Sequence, residues 1–397
     1  MQHDYPYLII GGGMAAAAAA KAIREADASA QIGIVGAEPT PPYERPPLSK
    51  ALWKGDKSPA SIDLGTVATG ARLHLGRRVQ ALDRAAHVAR DDHGDSYRYR
   101  RLLLATGATP RRLPFAANER VVHFRTLDDY RRLRRYAVPG ARIAVVGGGF
   151  IGSELAASLC GVGCQVAMLF PGASIGSGRY PASLAAFLDG YYRERGVELL
   201  SGVKVVDGQA TDDDVELALS DGRRLRVDAV VAGLGVTPDT ALAEQAGLTV
   251  ADGVVVDAQL RTSDADIWAA GDMANFFNPS LGRRLRVEHE NAAVEMGTHA
   301  GRAMAGAGAD YTTLPFFYSD LFELGYEAVG LLDARLQMVE DWSEPHRKGV
   351  VYYLDGGRVR GVLLWNVWGQ VDAARALIAQ DAPFDADSLR GRIPHDG

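Results

Sequence analysis

The chain has 397 residues, 47% hydrophobic and 23% charged, with a formal net charge of −6. That composition suits a globular protein of two or three domains with a sizeable buried core. The acidic balance argues against a nucleic-acid binder, which carries a basic excess.

The opening residues, MQHDYPYLII, lack a basic n-region and a long apolar core, so no signal peptide is expected. No apolar run approaches the roughly 20 residues of a membrane helix, and a soluble cytoplasmic protein is the expectation. Residues 7–10 (YLII) read as a buried strand, followed by GGGM, a helix from Ala15 to about Ala26, and a second strand, QIGIV. Helix propensity accounts for the alanine run. After a stiff, proline-rich arm (PPYERPPLSK, 41–50), residues 77–107 read as strands with a turn near Gly94, ending in LLLATG. The opening pattern then recurs: RIAVV (142–146) as a strand, GGGFIG as a turn, SELAASLC as a helix and CQVAMLF as a strand. One chain therefore carries two nucleotide-binding units, an internal repeat. Two glycines separate Cys160 from Cys164, and the pair reads as structural thiols rather than a metal or redox site. RLRVDAVVAGLGVTP (224–238) reads as one more strand, and GVVVDAQLRTSDADIWAAGD as a strand with a tight Gly-Asp ending. From Pro315 the texture changes to strands, hairpins and a final helix (VDAARALIA), which suggests a separate α+β domain.

The second glycine turn matches G-x-G-x-x-G in full. Gly147 permits the tight turn, Gly149 lets the backbone approach a pyrophosphate, and Gly152 lets helix and strand pack closely. The helix N-terminus that follows offers amide donors and positive potential to phosphates. The first turn has Gly11 and Gly13, with Ala16 at the third place, which the fingerprint allows. Glu38, near the end of the next strand, is either a ligand for ribose hydroxyls or a solvated loop carboxylate. The second unit has Phe170, Pro171 and Gly172 where such an acid would stand, and Arg179 is too far along to assign to a 2′-phosphate. The choice between NADH and NADPH is open. ATG (105–107) and AAGD (269–272) each end a strand in small residues that allow a ligand close to the backbone, and Asp272 lies at a strand end.

Taken together and in order, GGGMA, PPYERPPLSK, ATGATPR, GGGFIGSELA, GLGVTPD and AAGD resemble the FAD-dependent pyridine nucleotide reductases. The resemblance is to the branch of ferredoxin and rubredoxin reductases and apoptosis-inducing-factor-like proteins, and it runs from Tyr7 to about Ala376. It implies an α/β fold of two Rossmann-like dinucleotide-binding domains, glutathione-reductase-like, plus a C-terminal α+β interface domain. The expected boundaries are 1–112 and 239–314 for the FAD-binding domain, 113–238 for the NAD(P)H-binding domain and 315–397 for the interface domain. By the same resemblance, FAD contacts fall on Gly11, Gly12, Gly13, Ala15, Glu38, Arg45, Lys50, Val79, Thr106, Gly107, Arg111, Asp272, Glu288, His289, Glu290 and Tyr318. NAD(P)H contacts fall on Gly147, Gly148, Gly149, Phe150, Ile151, Gly152, Gly235, Glu327 and Asn366. No metal is implied.

The family pattern gives the proline arm a purpose. It brings a lysine beside the flavin, paired with a glutamate of the second nucleotide helix, and Lys50 and Glu154 match those positions. Without the family, the plain reading is a surface lysine and a first-turn glutamate placed for the helix dipole. A cation beside a flavin stabilises charge on the reduced ring, and a carboxylate partner keeps a buried lysine charged. Lys50, Glu154 and His289 are therefore the catalytic candidates, although His289 also reads as a core histidine. Tyr318 stands where the family usually has tryptophan, while Phe316, Phe317, Trp365 and Trp368 read as core.

Two functions are compatible with this resemblance. The first is an NAD(P)H-dependent FAD reductase, monomeric or homodimeric, that takes hydride onto flavin and passes electrons to a small iron–sulphur protein, a ferredoxin or rubredoxin. Arg131–Arg135 (RRLRR), or Arg283, Arg284 and Arg286, would then form the basic docking surface. The alternative is an apoptosis-inducing-factor-like, NADH-responsive flavoprotein whose long-lived charge-transfer complex regulates association. Only a short connection, LLDARLQMVEDWSEPHRKG, stands where that group has a long insertion.

Overall fold

The computed structural model describes residues 1–396. The chain divides into two compact units. Within the described residues, the first comprises 1–45, 60–109 and 237–315; the second comprises 46–59, 110–236 and 316–396. Among the described residues no helix is long and apolar enough to cross a membrane.

In the first unit a seven-stranded sheet runs in the order Arg72–Leu75, Ile32–Gly36, Gln2–Ile10, Ser96–Leu104, Val88–Asp91, Val79–Asp83, with Ile267–Ala269 also paired to Ser96–Leu104. The pairings are parallel from Arg72–Leu75 through Ser96–Leu104, and antiparallel from there to Val79–Asp83. Parallel strands are covered on both faces, which is why LLL (102–104) and IGIV (32–35) are continuous apolar runs rather than alternating ones. The alanine run has a packing reason beyond propensity. A Cβ at Gly297 would lie 2.3 Å from the Ala15 carbonyl oxygen, and one at Gly301 would lie 2.5 Å from that of Ala19. The helices Met14–Ala26 and Glu290–Met304 thus meet backbone to backbone, and only small residues fit between them.

Among the described residues, the second unit contains three sheets. A five-stranded parallel sheet has the order Glu198–Ser201, Gln165–Phe170, Arg142–Val146, Ala229–Ala232, Val121–His123. A three-stranded antiparallel sheet holds Val205–Ala210, Val215–Leu219 and Arg224–Val227. The C-terminal sheet is antiparallel, in the order Phe316–Leu321, Leu324–Gly330, Arg358–Trp365, Lys348–Asp355, Gln337–Glu344.

Three expectations are corrected here. The single strand expected over 224–238 is three strands, 224–227, 229–232 and 236–238. The first break falls at Asp228, whose N–H donates to the Arg142 carbonyl (2.8 Å) and whose carboxylate accepts from the Arg142 N–H (2.7 Å), so the chain passes there from one sheet to another. The connection 331–349 contains an edge strand, Gln337–Glu344, whose half-exposed polar residues leave no apolar alternation to read. Trp368, expected in the core, is 45% exposed, whereas Trp365 is fully buried and stacks on Tyr326 at 5.6 Å.

Candidate functional site

Each unit carries one glycine cradle of the same construction. In the first, Gly11 has φ +127°, and a Cβ there would sit 2.0 Å from the Ala105 carbonyl oxygen. Ala16 fills the third place with no exposure, and Gly13, the residue before the helix Met14–Ala26, faces open space. In the second, Gly147 has φ +130° and abuts Gly233, while a Cβ on Gly152 would lie 1.9 Å from the Gly147 oxygen. Gly149 again faces open space before the helix Phe150–Gly161. In the second turn Gly147 and Gly152 are closed by backbone; in the first Gly11 is closed by backbone and Ala16 is buried; in each, one glycine stays open at the helix N-terminus. That arrangement fits a pyrophosphate.

Around the first cradle, Glu38 follows the strand Ile32–Gly36 and is held by Arg45 and by the Tyr43 hydroxyl, each at 2.5 Å. Thr106 donates its hydroxyl to the Asp239 carbonyl (2.8 Å), and Gly107 accepts from the Asp239 N–H (3.0 Å). Asp272 is buried in a short helical turn, and its carbonyl accepts from Arg286 at 3.1 Å. Arg286 also pairs with Glu288 at 2.6 Å and Asp252 at 3.1 Å. His289 caps the helix Glu290–Met304 in extended backbone. Gly12, Ala15, Val79 and Glu290 complete the set within this unit. Three residues expected beside the same ligand, Lys50, Arg111 and Tyr318, belong to the second unit, where the Arg111 N–H donates to the Gly235 carbonyl at 3.0 Å.

Around the second cradle, a Cβ at Gly148 would meet the Phe170 ring at 2.9 Å, Ile151 is 39% exposed, and Phe150 stacks edge-on against Phe317 at 5.5 Å. Arg179, distant in sequence, comes back to lay its guanidinium over Phe150 at 4.0 Å. Glu327 lies directly across the strand pair from Tyr318, and its carboxylate accepts from the Gly369 N–H at 3.1 Å. Burial raises its pKa, opposed by that hydrogen bond. Asn366 is committed at both ends of its amide, to the Gly325 N–H (2.7 Å) and the Arg347 carbonyl (2.8 Å).

The arm from Pro46 to Lys54 docks within the second unit. The Trp53 indole donates to the Leu48 carbonyl (2.7 Å), the Tyr130 hydroxyl to that of Leu52 (3.1 Å), and the Ser158 hydroxyl to that of Ser49 (2.7 Å). These contacts place the Lys50 ammonium 3.1 Å from Glu154, 3.9 Å from Asp320 and 4.1 Å from the centroid of the Tyr318 ring. Lys50 and Glu154 are more than nine-tenths buried. Ser49 and Ser319 each donate to Glu154 at 2.6 Å, one to each oxygen. Both serines and Asp320 are absent from the sequence-derived set. Their only signal is adjacency, Ser49 to the lysine and the other two to Tyr318.

Side-chain partners occupy part of the expected basic docking surface, while Arg131 and Arg283 are exposed. Arg284 donates to the Val256 (3.0 Å) and Asn275 (2.9 Å) carbonyls, and Arg286 is consumed by its carboxylates, so these charges brace the fold. In the helix Leu127–Tyr136, Arg132 and Arg135 share Glu119, and Arg134 donates to the Ala137 carbonyl. Burial raises the pKa of both Cys160 and Cys164, which disfavours the reactive thiolate.

Residues 5–297 match the model of the pyridine nucleotide-disulphide oxidoreductase family, and residues 340–380 match that of the mitochondrion-associated C-terminal region of apoptosis-inducing factor. A ferredoxin–NAD(+) reductase component of the anthranilate 1,2-dioxygenase system from Burkholderia cepacia is 36% identical, over 97% of this chain and 96% of that one. A putative apoptosis-inducing factor 1 from Drosophila melanogaster is 31% identical over 96% of this chain, which spans 64% of that protein. Among solved structures, the covalent putidaredoxin reductase–putidaredoxin complex superposes with a TM-score of 0.90 at 30% identity, covering 97% of this chain and 95% of that one. The paired cradles and the matches agree: the chain belongs to the pyridine nucleotide-disulphide oxidoreductase family and is an oxidoreductase of the branch shared by ferredoxin reductases and apoptosis-inducing-factor-like proteins.

Proposed function

We propose that the protein binds FAD at the Gly11–Gly13 cradle and NADH at the Gly147–Gly152 cradle, and delivers electrons to a small iron–sulphur protein. The domain division is then 1–112 with 239–314 for flavin, 113–238 for nicotinamide nucleotide, and 315–397 as an interface domain. A bound flavin supplies hydride acceptance from a reduced nicotinamide and release of single electrons. The protein's part is placement and charge. Gly13 and Gly149 leave the approach to the helix-end amides clear, Asp272 and Glu38 would serve the flavin nucleotide, and Glu154 holds Lys50 as a buried cation for the ring.

The observation that carries this reading is the buried Lys50–Glu154 pair at 3.1 Å. Desolvating an ion pair contributes little to stability, so a functional use of the charge is the better account of it. NADH is favoured by the dioxygenase-system relative, whose name specifies NAD(+). The test is stopped-flow mixing of the purified protein with NADH and NADPH in turn, then with an oxidised ferredoxin. Flavin bleaching by NADH followed by rapid recovery with the ferredoxin is expected. A colourless protein that takes up no flavin would end the proposal.

A further inference from the structure

The Glu154 carboxylate is engaged on both oxygens before the lysine is considered. The Ser49 hydroxyl donates to Oε2 and the Ser319 hydroxyl to Oε1, each at 2.6 Å, and both serines are 1% exposed. Ser49 has a second acceptor in reach, the Pro46 carbonyl at 3.4 Å, but the carboxylate is much nearer and a hydrogen bond to a charged group is the stronger. Neither serine is free to wander. Ser49 has its carbonyl held by Ser158, one turn beyond Glu154 on the same helix face. Ser319 is paired opposite Tyr326 on the outermost strand of the C-terminal sheet, Phe316–Leu321. An edge strand lets side chains of both its faces reach a group lying along the edge. Ser319 meets Glu154 there, while its neighbours Tyr318 and Asp320 meet Lys50.

We infer that Ser49 and Ser319 are positioning residues, a two-hydroxyl clamp that fixes Glu154 and thereby sets how much positive charge Lys50 presents to the bound flavin. This rests on the flavin and nicotinamide reading above. The physical argument is a division of labour. An ammonium has three donors, and a carboxylate with two oxygens left bare in a buried site would draw it in fully. Hydroxyls on both oxygens share the carboxylate's charge and hold it still, so that the lysine pairs with Glu154 through one oxygen only and keeps donors for a ligand. Burying two hydroxyls is favourable only because each finds this acceptor.

The test compares Ser49→Ala, Ser319→Ala and the double variant with Ser49→Thr and Ser319→Thr, which keep the hydroxyl. Two readouts are taken, neither of them turnover. One is the two-electron midpoint of the bound flavin. The other is the side-chain Nζ spectrum of 15N-lysine-labelled protein with and without flavin, tractable because the chain has only six lysines. In the double alanine variant, an about tenfold shift of the reduction equilibrium toward oxidised flavin is expected, ~30 mV for two electrons. The change that flavin binding produces in the Lys50 Nζ signal should shrink alongside it, with both effects reversed by threonine. If the alanine variants do not fold, Ser→Cys variants of similar size and weak donor strength make the same comparison against threonine. An unchanged midpoint and Nζ signal in protein that NADH still reduces overturns the clamp and leaves the proposed function standing. A wild-type protein that NADH does not reduce overturns the proposed function instead.

Discussion

Lys50 and Glu154 show what one buried pair demands of its surroundings. Removing one member leaves the other charged and unpaired inside the protein, which typically costs about 3–5 kcal/mol, whereas removing both leaves only shape to be filled. Lys50→Met and Glu154→Gln should therefore each destabilise strongly, and the double variant should be more stable than the worse single one in denaturant unfolding. Flavin reduction by NADH should fall about 10²-fold in Lys50→Met and stay low in the double variant, because restored stability does not restore the cation. A double variant less stable than both singles would show that the pair is not the coupled unit described here. The pair was legible only through the ordered family motifs; taken alone, a lysine after prolines and a glutamate in a helix's first turn have commonplace explanations. The serines were not legible at all. Hydroxyl residues carry no periodic or charge signature, and what selects these two is a meeting of residues 49, 154 and 319 made by the fold.

At the scale of elements, the glycine turns were the most readable feature, since a positive φ or a backbone contact at a fixed offset excludes every side chain. The roles of the glycines within one turn can be separated. Gly152→Ala would drive a methyl against the Gly147 oxygen, whereas Gly149→Ala meets nothing within 4 Å. Gly152→Ala should lose about 1–3 kcal/mol of stability. Gly149→Ala should unfold as wild type yet bind NADH about tenfold more weakly by titration, since its methyl occupies the phosphate approach. Less readable were the helix Glu290–Met304 and the edge strand Gln337–Glu344, the first because glycines that serve close packing depress its helical signal, the second because an edge strand lacks an apolar face. The first unit's sheet also carries a cross-strand group invisible in sequence. His74 accepts or donates at 2.8 Å with the Tyr5 hydroxyl and packs on His3 and Tyr97. Burial, then His3, Arg72 and Arg77, lower its pKa from 6.5 to about 4, with Asp95 opposing. The unfolded chain thus binds a proton that the folded chain refuses, so this contribution is intact above about pH 6.5 and is lost as pH falls toward about 4. His74→Gln should flatten the stability–pH curve across that window in denaturant titrations, and an unaltered slope would show that His74 is not its source.

For the molecule as a whole, composition and the repeated cradle were enough to establish an α/β redox architecture, because two nucleotide turns in one chain have few other uses. What they left undecided is whether reduced protein hands its electrons on or keeps them. The two matches pull apart on this point: the chain aligns over nearly its full length with a ferredoxin–NAD(+) reductase component, while residues 340–380 match the C-terminal region of apoptosis-inducing factor. The local structure favours the first. Residues 345–347 form a tight turn between the strands Gln337–Glu344 and Lys348–Asp355, with the Arg347 N–H donating to the Glu344 carbonyl at 2.9 Å, so no long regulated loop can emerge between them. The surface charge adds a constraint of its own. With Arg286 paired to Glu288 and Asp252, the positive charge left in that run rests on the exposed Arg283 and Arg284, and association with an acidic acceptor should depend only modestly on salt. The expectation is that the long-wavelength absorbance raised by NADH decays quickly once an oxidised ferredoxin is added, and that raising the salt from 0.05 to about 0.3 M slows this decay by less than about tenfold. A band that outlives the acceptor by minutes would move the protein to the nucleotide-responsive side of its branch, and a steep salt dependence would return the arginines to the docking surface.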